Sequence, residues 1–263
     1  MKYIGIRGHR GAGKNTVAYL LANTLDWITR SQDDSSLGFH DAFVRWCKEI
    51  KEDETRIDNL ALDWVIVEGF GDGPKVFVSM LTGIQFSDMN NDWAKDHIVV
   101  NIKDFTNGTF DDPKAEFGDR LVTAQEYFEQ FTCSADPEPV QQDVYMTLRE
   151  LILYFGIYIM QNAFGRNVWV KAMIANQRFF DGLYGDDEKG YKIYSDIKAR
   201  SEISYIYDRG GVIVKVSRPD HKKPGGMDLL RGDSRYDYTV DIAGELEDLE
   251  QTIYNIAKNI SER

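Results

Sequence analysis

Cysteine is nearly missing from these 263 residues: only Cys47 and Cys133 occur, far apart and outside any Cys-x-x-Cys spacing. That excludes a disulfide framework or cysteine-built zinc site as the organising device, and reduced, unliganded thiols are expected. Histidine is as sparse, with His9, His40, His97 and His221 scattered and none at metal-ligand spacing. Each reads as a surface or loop residue, and a Ser-His-Asp triad has no support. Basic charge is in deficit, 31 Lys and Arg against 43 Asp and Glu for a net charge of −12. Nonspecific binding to a nucleic acid polymer is therefore not expected, because it rests on cations neutralising phosphates. No apolar run approaches the roughly 20 residues of a membrane span. Met1-Lys2 leads straight into a strand-like run with no cleavable signal pattern, so a cytoplasmic protein without a membrane partner is expected.

What is present is an alternation of strand-like and helical runs without internal repeats. Tyr3-Ile4-Gly5-Ile6 ends in a glycine-rich turn, after which Val17, Leu20, Leu21, Thr24 and Leu25 recur at helical spacing. Trp64-Val65-Ile66-Val67 and the turn Glu68 to Pro74 precede a helix with apolar Val76, Phe77, Met80 and Leu81, ending at Gly83. His97 to Ile102 reads as a strand, Thr123 to Phe131 as a helix and Asp136 to Pro139 as a linker. Leu148 to Met160 is apolar almost all round and predicts a central helix buried on most sides. A helix over Trp169 to Phe180, a strand at Tyr191 to Ser195, a helix from Glu202 to Arg209 and a strand at Val212 to Val216 follow. The C-terminal run sets Leu246, Leu249, Ile253, Ile256 and Ile260 on one helical face. Strands alternating with helices imply an α/β fold with a mostly parallel central sheet flanked by helices in three layers. One domain spanning 1–263 is expected, with a core of about 1–27, 63–85 and 146–263. Acidic 28–62 and undeciphered 86–145 read as insertions, the latter a substrate-binding or lid region.

The run Gly8-His9-Arg10-Gly11-Ala12-Gly13-Lys14-Asn15-Thr16 fits G-x-x-x-x-G-K in the strand-loop-helix context that a phosphate-binding loop requires. Gly8, Gly11 and Gly13 let successive backbone N–H groups face one concavity, with Ala12 between them. Lys14 adds an ammonium for the β- and γ-phosphates, and the positive end of the following helix completes the cradle. A nucleoside triphosphate is the expected ligand. Where a Ser or Thr hydroxyl usually follows the Lys and binds magnesium, this chain has Asn15, with Thr16 one place later. Mg2+ would then depend on phosphates, waters and a carboxylate. Asp196 and Glu68 both stand at strand ends, where ligands of open α/β sheets gather, and the sequence leaves the choice between them open.

Further segments resemble the bacteriophage-type deoxynucleoside monophosphate kinases, a P-loop kinase family in which Gly-Lys-x-Thr closes the loop. Phe70-Gly71-Asp72-Gly73-Pro74-Lys75 is similar to the family's Phe-Ala-Asp-Pro-Leu-Lys. Leu148-Arg149-Glu150-Leu151 with Gly156, then Asn162 to Lys171 with Arg166 and Trp169, resembles its arginine-led helix and the Trp-containing element after it. Ser195-Asp196-Ile197-Lys198-Ala199-Arg200-Ser201-Glu202, Gly210-Gly211 and Arg218-Pro219 resemble its Ser-Asp-Val-Arg, Glu, Gly-Gly and Arg-Pro series. The resemblance covers about half of the chain, with the family's Arg replaced by Lys198 and its Gln and Thr by Leu153 and Ile157. A Lys keeps the charge but loses the planar fork that grips phosphate.

The resemblance implies a P-loop kinase fold and transfer of the γ-phosphoryl group of ATP to a deoxynucleoside monophosphate, in phage nucleotide metabolism in the host cytoplasm. Lys14, Arg149, Arg166 and Lys198 would be catalytic, and Lys75, Asp72, Arg149 and Trp169 would bind the acceptor. A homodimer stays open. Two other readings stand beside this one: a P-loop kinase for dephospho-coenzyme A or a small alcohol, with Asp72 as base, and a catalytically silent nucleotide-binding module.

Overall fold

The computed structural model describes residues 1–9, 11–30, 38–52, 62, 64–132, 143–175, 190–218, 235–242 and 245–263. In chain order its first elements are β1 (Lys2–Arg7), α1 (Lys14–Arg30), α2 (Phe39–Glu52), β2 (Val65–Glu68) and α3 (Asp72–Thr82). Next come α4 (Asp92–His97), β3 (Ile98–Asn101), β4 (Asn107–Thr109), α5 (Pro113–Phe117), α6 (Ala124–Tyr127) and β5 (Tyr145–Thr147). The remainder is α7 (Leu148–Leu153), α8 (Met160–Phe164), α9 (168–175), β6 (Tyr191–Ile197), α10 (Arg200–Tyr207), β7 (Val212–Ser217), β8 (Tyr238–Asp241) and α11 (Leu246–Glu262). The chain divides into two compact units, Met1–Phe70 with Ile174–Arg263, and Gly71–Met173.

In the first unit, five strands form a sheet in the order β2-β6-β1-β7-β8, and all four pairings are parallel. Alternation along β1 puts Ile4 and Ile6 into a core with α1, α2 and α11, joined by Ile193 of β6 and Val212 and Val214 of β7. The opposite face carries α10. Gly5 lies on that side, where a Cβ would stand 2.1 Å from Ile197 Cδ1 and 2.6 Å from Ile213 Cδ1. The absent side chain lets the α10 layer close over the sheet. From β1 the chain runs to β2, inserts β6 between the two, then crosses to β7 and β8 on the other side. That reversal at β1 makes the carboxyl ends of β1 and its neighbours the switch point where open α/β sheets take ligands.

The expected strands at the N-terminus, at 64–67, at 191–195 and at 212–216 are present, β6 running two residues further so that Asp196 lies within it. β6 gains a residue against β1: Gly5 pairs with Tyr194, but Arg7 pairs with Ile197. The extra residue falls in Ser195-Asp196, an irregularity of the kind that re-aims side chains beside functional sites.

The second unit has its own core, in which Val78, Met89, Val100, Met146, Leu148 and Leu151 are fully buried. Its sheet is antiparallel, in the order β4-β3-β5. Only β3 was legible beforehand, because β4 and β5 have three residues each, too few for an alternation to register. α3 ends at Gly83, in left-handed conformation with φ 71°, as its sequence predicts. The run 148–164 is helical but contains a π-helical stretch, Tyr154–Ile159. It is buried on one side only, at Leu148, Leu151, Tyr154 and Gly156, with Leu153 37% exposed, and it belongs to this smaller core rather than to the parallel sheet. Its outer aromatic Phe155 packs against Phe77 of α3 instead.

Arg10, Cys133, His221 and Pro219, the acidic run 33–36, the Asp136–Pro139 linker and the expected helix beyond residue 175 lie outside the described residues. Among the described residues, no helix is long and apolar enough to cross a membrane.

Candidate functional site

The glycine loop joins β1 to α1 at the carboxyl edge of the parallel sheet. Gly11 and Gly13 take positive φ, 75° and 85°. A Cβ on Gly13 would stand 2.3 Å from Ile242 Cδ1, and one on Gly8 would stand 2.7 Å from the backbone oxygen of Val216, which cannot swing aside. Both positions therefore need glycine for a bare backbone surface. Ala12 N–H closes the turn on His9 O at 3.1 Å. Val17 N–H makes the first helical bond, to Gly13 O at 3.0 Å, so the N–H groups of Lys14, Asn15 and Thr16 before it have no helical acceptor. Asn15 is exposed and Thr16 half-buried at this positive helix end.

Lys14 Nζ donates to His9 O at 3.1 Å and stands 3.4 Å from Asp196 Oδ1. Asp196 Oδ2 is ion-paired with Lys198 Nζ. Oδ1 itself is buried and makes no hydrogen bond. Burial by itself would raise the Asp196 pKa, but the ammoniums of Lys198 and Lys14 more than reverse this and hold the carboxyl below its ordinary value. The result is an ionised carboxylate oxygen, desolvated and short of donors, beside the loop lysine. The β6 irregularity at Ser195-Asp196 is what breaks the strand alternation where this side chain leaves the sheet.

Glu68 does not share that environment. Its Oε2 pairs at 3.1 Å with Nζ of Lys192, a cation only 7% exposed on the adjacent strand β6, and its backbone oxygen accepts from Ser195 Oγ at 3.5 Å. Of the two acids, only Asp196 has a buried oxygen without a hydrogen bond.

Among the described residues no group of three His, Cys, Asp or Glu side chains could enclose a metal ion. The single desolvated Asp196 oxygen does fit Mg2+ held mainly by phosphates and water, the mode in which one or two carboxylates suffice.

The turn behind Asp196 is held by a residue the sequence left without a role. Glu202 Oε2 accepts from the backbone N–H of Lys198 at 2.7 Å and of Ala199 at 2.9 Å. Ala199 occupies the N-cap of α10 and has no side-chain acceptor of its own. A Glu three residues after the cap was the readable signal. Burial raises the Glu202 pKa, and the nearby Asp196 charge adds to this against the two N–H donors and Lys198.

The remaining sequence-nominated residues lie in the second unit, in separate sets. Lys75 Nζ donates to Asp72 Oδ1 at 2.9 Å and Asn90 Oδ1 at 2.6 Å. Arg149 lays its Nε and Nη2 along Asp96, with Nη2 to Oδ2 at 3.0 Å, and Nη2 also reaches Asp92 Oδ1 at 3.3 Å. Asp92 is shared with Lys95 at 2.7 Å. Trp169 gives its indole N–H to Gly156 O at 2.8 Å, a carbonyl within the π-helical stretch, while its ring fills the space beside Gly73, where a Cβ would meet Cε3 at 2.6 Å. Arg166 is exposed in the turn after α8. The structure thus brings Lys14, Lys198 and Asp196 together, and leaves Lys75 and Arg149 each neutralised by neighbouring acids or amides. No protein-family model matches the chain, and no curated protein sequence is significantly similar to it.

Proposed function

We propose that the chain is an ATP-dependent kinase of P-loop fold that phosphorylates deoxynucleoside monophosphates in the cytoplasm, in the setting of phage nucleotide metabolism. One observation carries the donor half of this reading: the Asp196 oxygen that is buried without a hydrogen bond 3.4 Å from Lys14 Nζ, at the mouth of a glycine loop opening a helix. A desolvated, donor-poor carboxylate beside a lysine suits a site completed by a magnesium–triphosphate, because the missing partners are what that ligand brings. The loop backbone and the first N–H groups of α1 would hold phosphate oxygens, and Lys14 would neutralise the β- and γ-phosphates. Asp196 would orient the ion, and Lys198 would offset its charge until the ligand arrives. Mg2+, when bound, supplies charge neutralisation across the β- and γ-phosphates.

The acceptor half rests on the resemblance over Asp72 to Lys75, Arg149, Arg166 and Trp169. In the reaction, an acceptor 5′-phosphate oxygen forms a bond to the γ-phosphorus as the bond from that phosphorus to the β,γ-bridging oxygen breaks, releasing ADP. The acceptor is already an anion, so no general base has to take a proton. The specific observation favouring a different acceptor is that Arg149 is engaged by Asp96 and Asp92, and Trp169 by Gly156 and Gly73. Asp72, bonded to Lys75, is poorly placed as the base an alcohol would need.

ADP release measured with ATP and magnesium across the common mononucleotides, dephospho-coenzyme A and small alcohols tests the reading. Turnover with one or more deoxynucleoside monophosphates is the expected result. Turnover only with a non-nucleotide acceptor would refute the acceptor assignment, and tight ATP binding with no transfer to any acceptor would leave a silent binding module.

A further inference from the structure

We infer that Glu202 is a positioning residue for the donor site: by gripping the backbone of Lys198 and Ala199 it sets the turn after β6 and so holds Lys198 against Asp196, whose other oxygen stands beside Lys14. The inference rests on the phosphotransferase reading above and extends it to a residue that touches neither phosphate nor metal. One carboxylate oxygen, Oε2, accepts both N–H groups, at 2.7 and 2.9 Å. Those donors belong to consecutive residues immediately after β6 ends at Ile197. Lys198, one of the two, is the residue whose ammonium pairs with Asp196 Oδ2. Ala199 stands at the N-cap of α10 without a side-chain acceptor of its own, so the capping role falls to Glu202.

The turn also needs holding. β6 is out of simple register with β1 just before it, so the strand ladder does not dictate where Asp196 points. Without Glu202, the N–H groups of Lys198 and Ala199 lose this acceptor and the turn loses a contact that fixes it. The Asp196–Lys198 pair would then lose the geometry that leaves Oδ1 open beside Lys14. An ordinary helix cap would affect only stability; a positioning residue alters the magnesium requirement of nucleotide binding and transfer.

The discriminating chemistry lies in Glu202→Gln against Glu202→Ala. A glutamine amide oxygen can accept the same two N–H groups without the charge, whereas alanine accepts none. Glu202→Asp, a methylene shorter, serves as the second disruptive variant should the alanine protein fail to fold. For the full-length wild type and each variant, the magnesium concentration for half-maximal binding of a fluorescent ATP analogue and for half-maximal ADP release is measured, alongside the melting temperature. Glu202→Ala or Glu202→Asp is expected to raise both magnesium midpoints about tenfold, the scale on which outer-sphere partners act on metal sites, and Glu202→Gln to restore them to within about twofold. A lower melting temperature with unchanged magnesium midpoints overturns the proposal and leaves a simple helix cap. Glutamine as impaired as alanine overturns it as well, since accepting the two N–H groups would then not be the role. If the wild type binds the analogue with magnesium dependence but transfers no phosphoryl group, the binding midpoints still decide the matter while the kinase reading fails. No magnesium-dependent binding by the wild type removes both.

Discussion

The cations nominated in the two units meet opposite electrostatic surroundings. Lys14 has one carbonyl at 3.1 Å and one carboxylate oxygen at 3.4 Å that is itself without a hydrogen bond. Arg149 lies along Asp96 and also reaches Asp92, which Lys95 shares. The first arrangement leaves donors and acceptors unmatched in a partly desolvated place, a cost that persists only where a ligand repays it or the fold imposes it. The second is internally neutral and stabilises its own unit without any ligand. A cation's place in a motif thus says little until its partners are known. The pairing state separates a cation beside an acid that is short of hydrogen bonds from one whose charge its neighbours already balance.

The sharpest way to break that comparison is Lys14→Met. If the loop lysine serves the triphosphate, phosphoryl transfer should fall by roughly 10²–10³-fold or more, the scale of losing a principal charge stabiliser. The melting temperature should fall only modestly, because Lys198 still pairs the buried Asp196 carboxylate when Lys14 is gone. A coupled ADP-release assay with a thermal melt checks both, and unaltered kcat/KM would place the chemistry elsewhere. The next largest effect belongs to the loop backbone. Gly13→Ala forces an L-residue to φ 85° and drives its Cβ to 2.3 Å from Ile242 Cδ1. A loss of roughly 1–3 kcal/mol of stability is expected, with nucleotide binding falling further than stability alone explains. Denaturant unfolding and analogue titration on the same preparation separate the two.

How much of this was visible beforehand follows from how local each feature is. The loop, β1 and α1 occupy one continuous stretch, with glycine spacing and a 3.6-residue period that need no distant partner, and they could be read directly. Strand β7 was legible as a β-branched run and β6 as the short Tyr191 to Ser195 strand, but the irregularity that offsets β6 from β1 arises from pairing between residues almost 190 positions apart and leaves no mark in either segment. The choice between Asp196 and Glu68 was undecidable for the same reason: Lys192, which takes up Glu68, looks like any strand residue until the strands are aligned. Arg149 was read from its motif alone, while its acidic partners precede it by 53 and 57 residues. Short β4 and β5 were hidden by length rather than distance.

Asp196→Asn tests the comparison at the acid rather than at the cation. The amide keeps the shape but removes the charge that Lys14 and Lys198 face. Transfer should fall by roughly 10–100-fold at limiting magnesium and recover in part at high magnesium, whereas Glu68→Gln should leave the magnesium profile unchanged and cost stability through the stranded, buried Lys192. Equal, wild-type-like profiles for both would sink the metal assignment.

The smallest expected effect is a pH signature of the second unit's network. Burial pushes the Asp92 carboxyl upward, but Lys95 and Arg149 outweigh it and bring the pKa to about 2 from the ordinary 3.8. Because the folded value lies below the unfolded one, the stabilisation is fully present above about pH 4 and is lost as pH falls from there toward 2. Asp92 is 60% exposed, so solvent screening limits the contribution to under about 1 kcal/mol. Arg149→Met should remove part of it: its deficit in melting temperature against wild type, clear at pH 5, should shrink by pH 2.5, where most of the Asp92 contribution is already lost because the unfolded-state carboxyl is protonated. Lys95→Met should behave alike. A deficit for Arg149→Met that stays constant across that range would mean that Arg149 is held by packing rather than by Asp92. The contrast between an occupied cation and a waiting one would then rest on the Lys14 side alone.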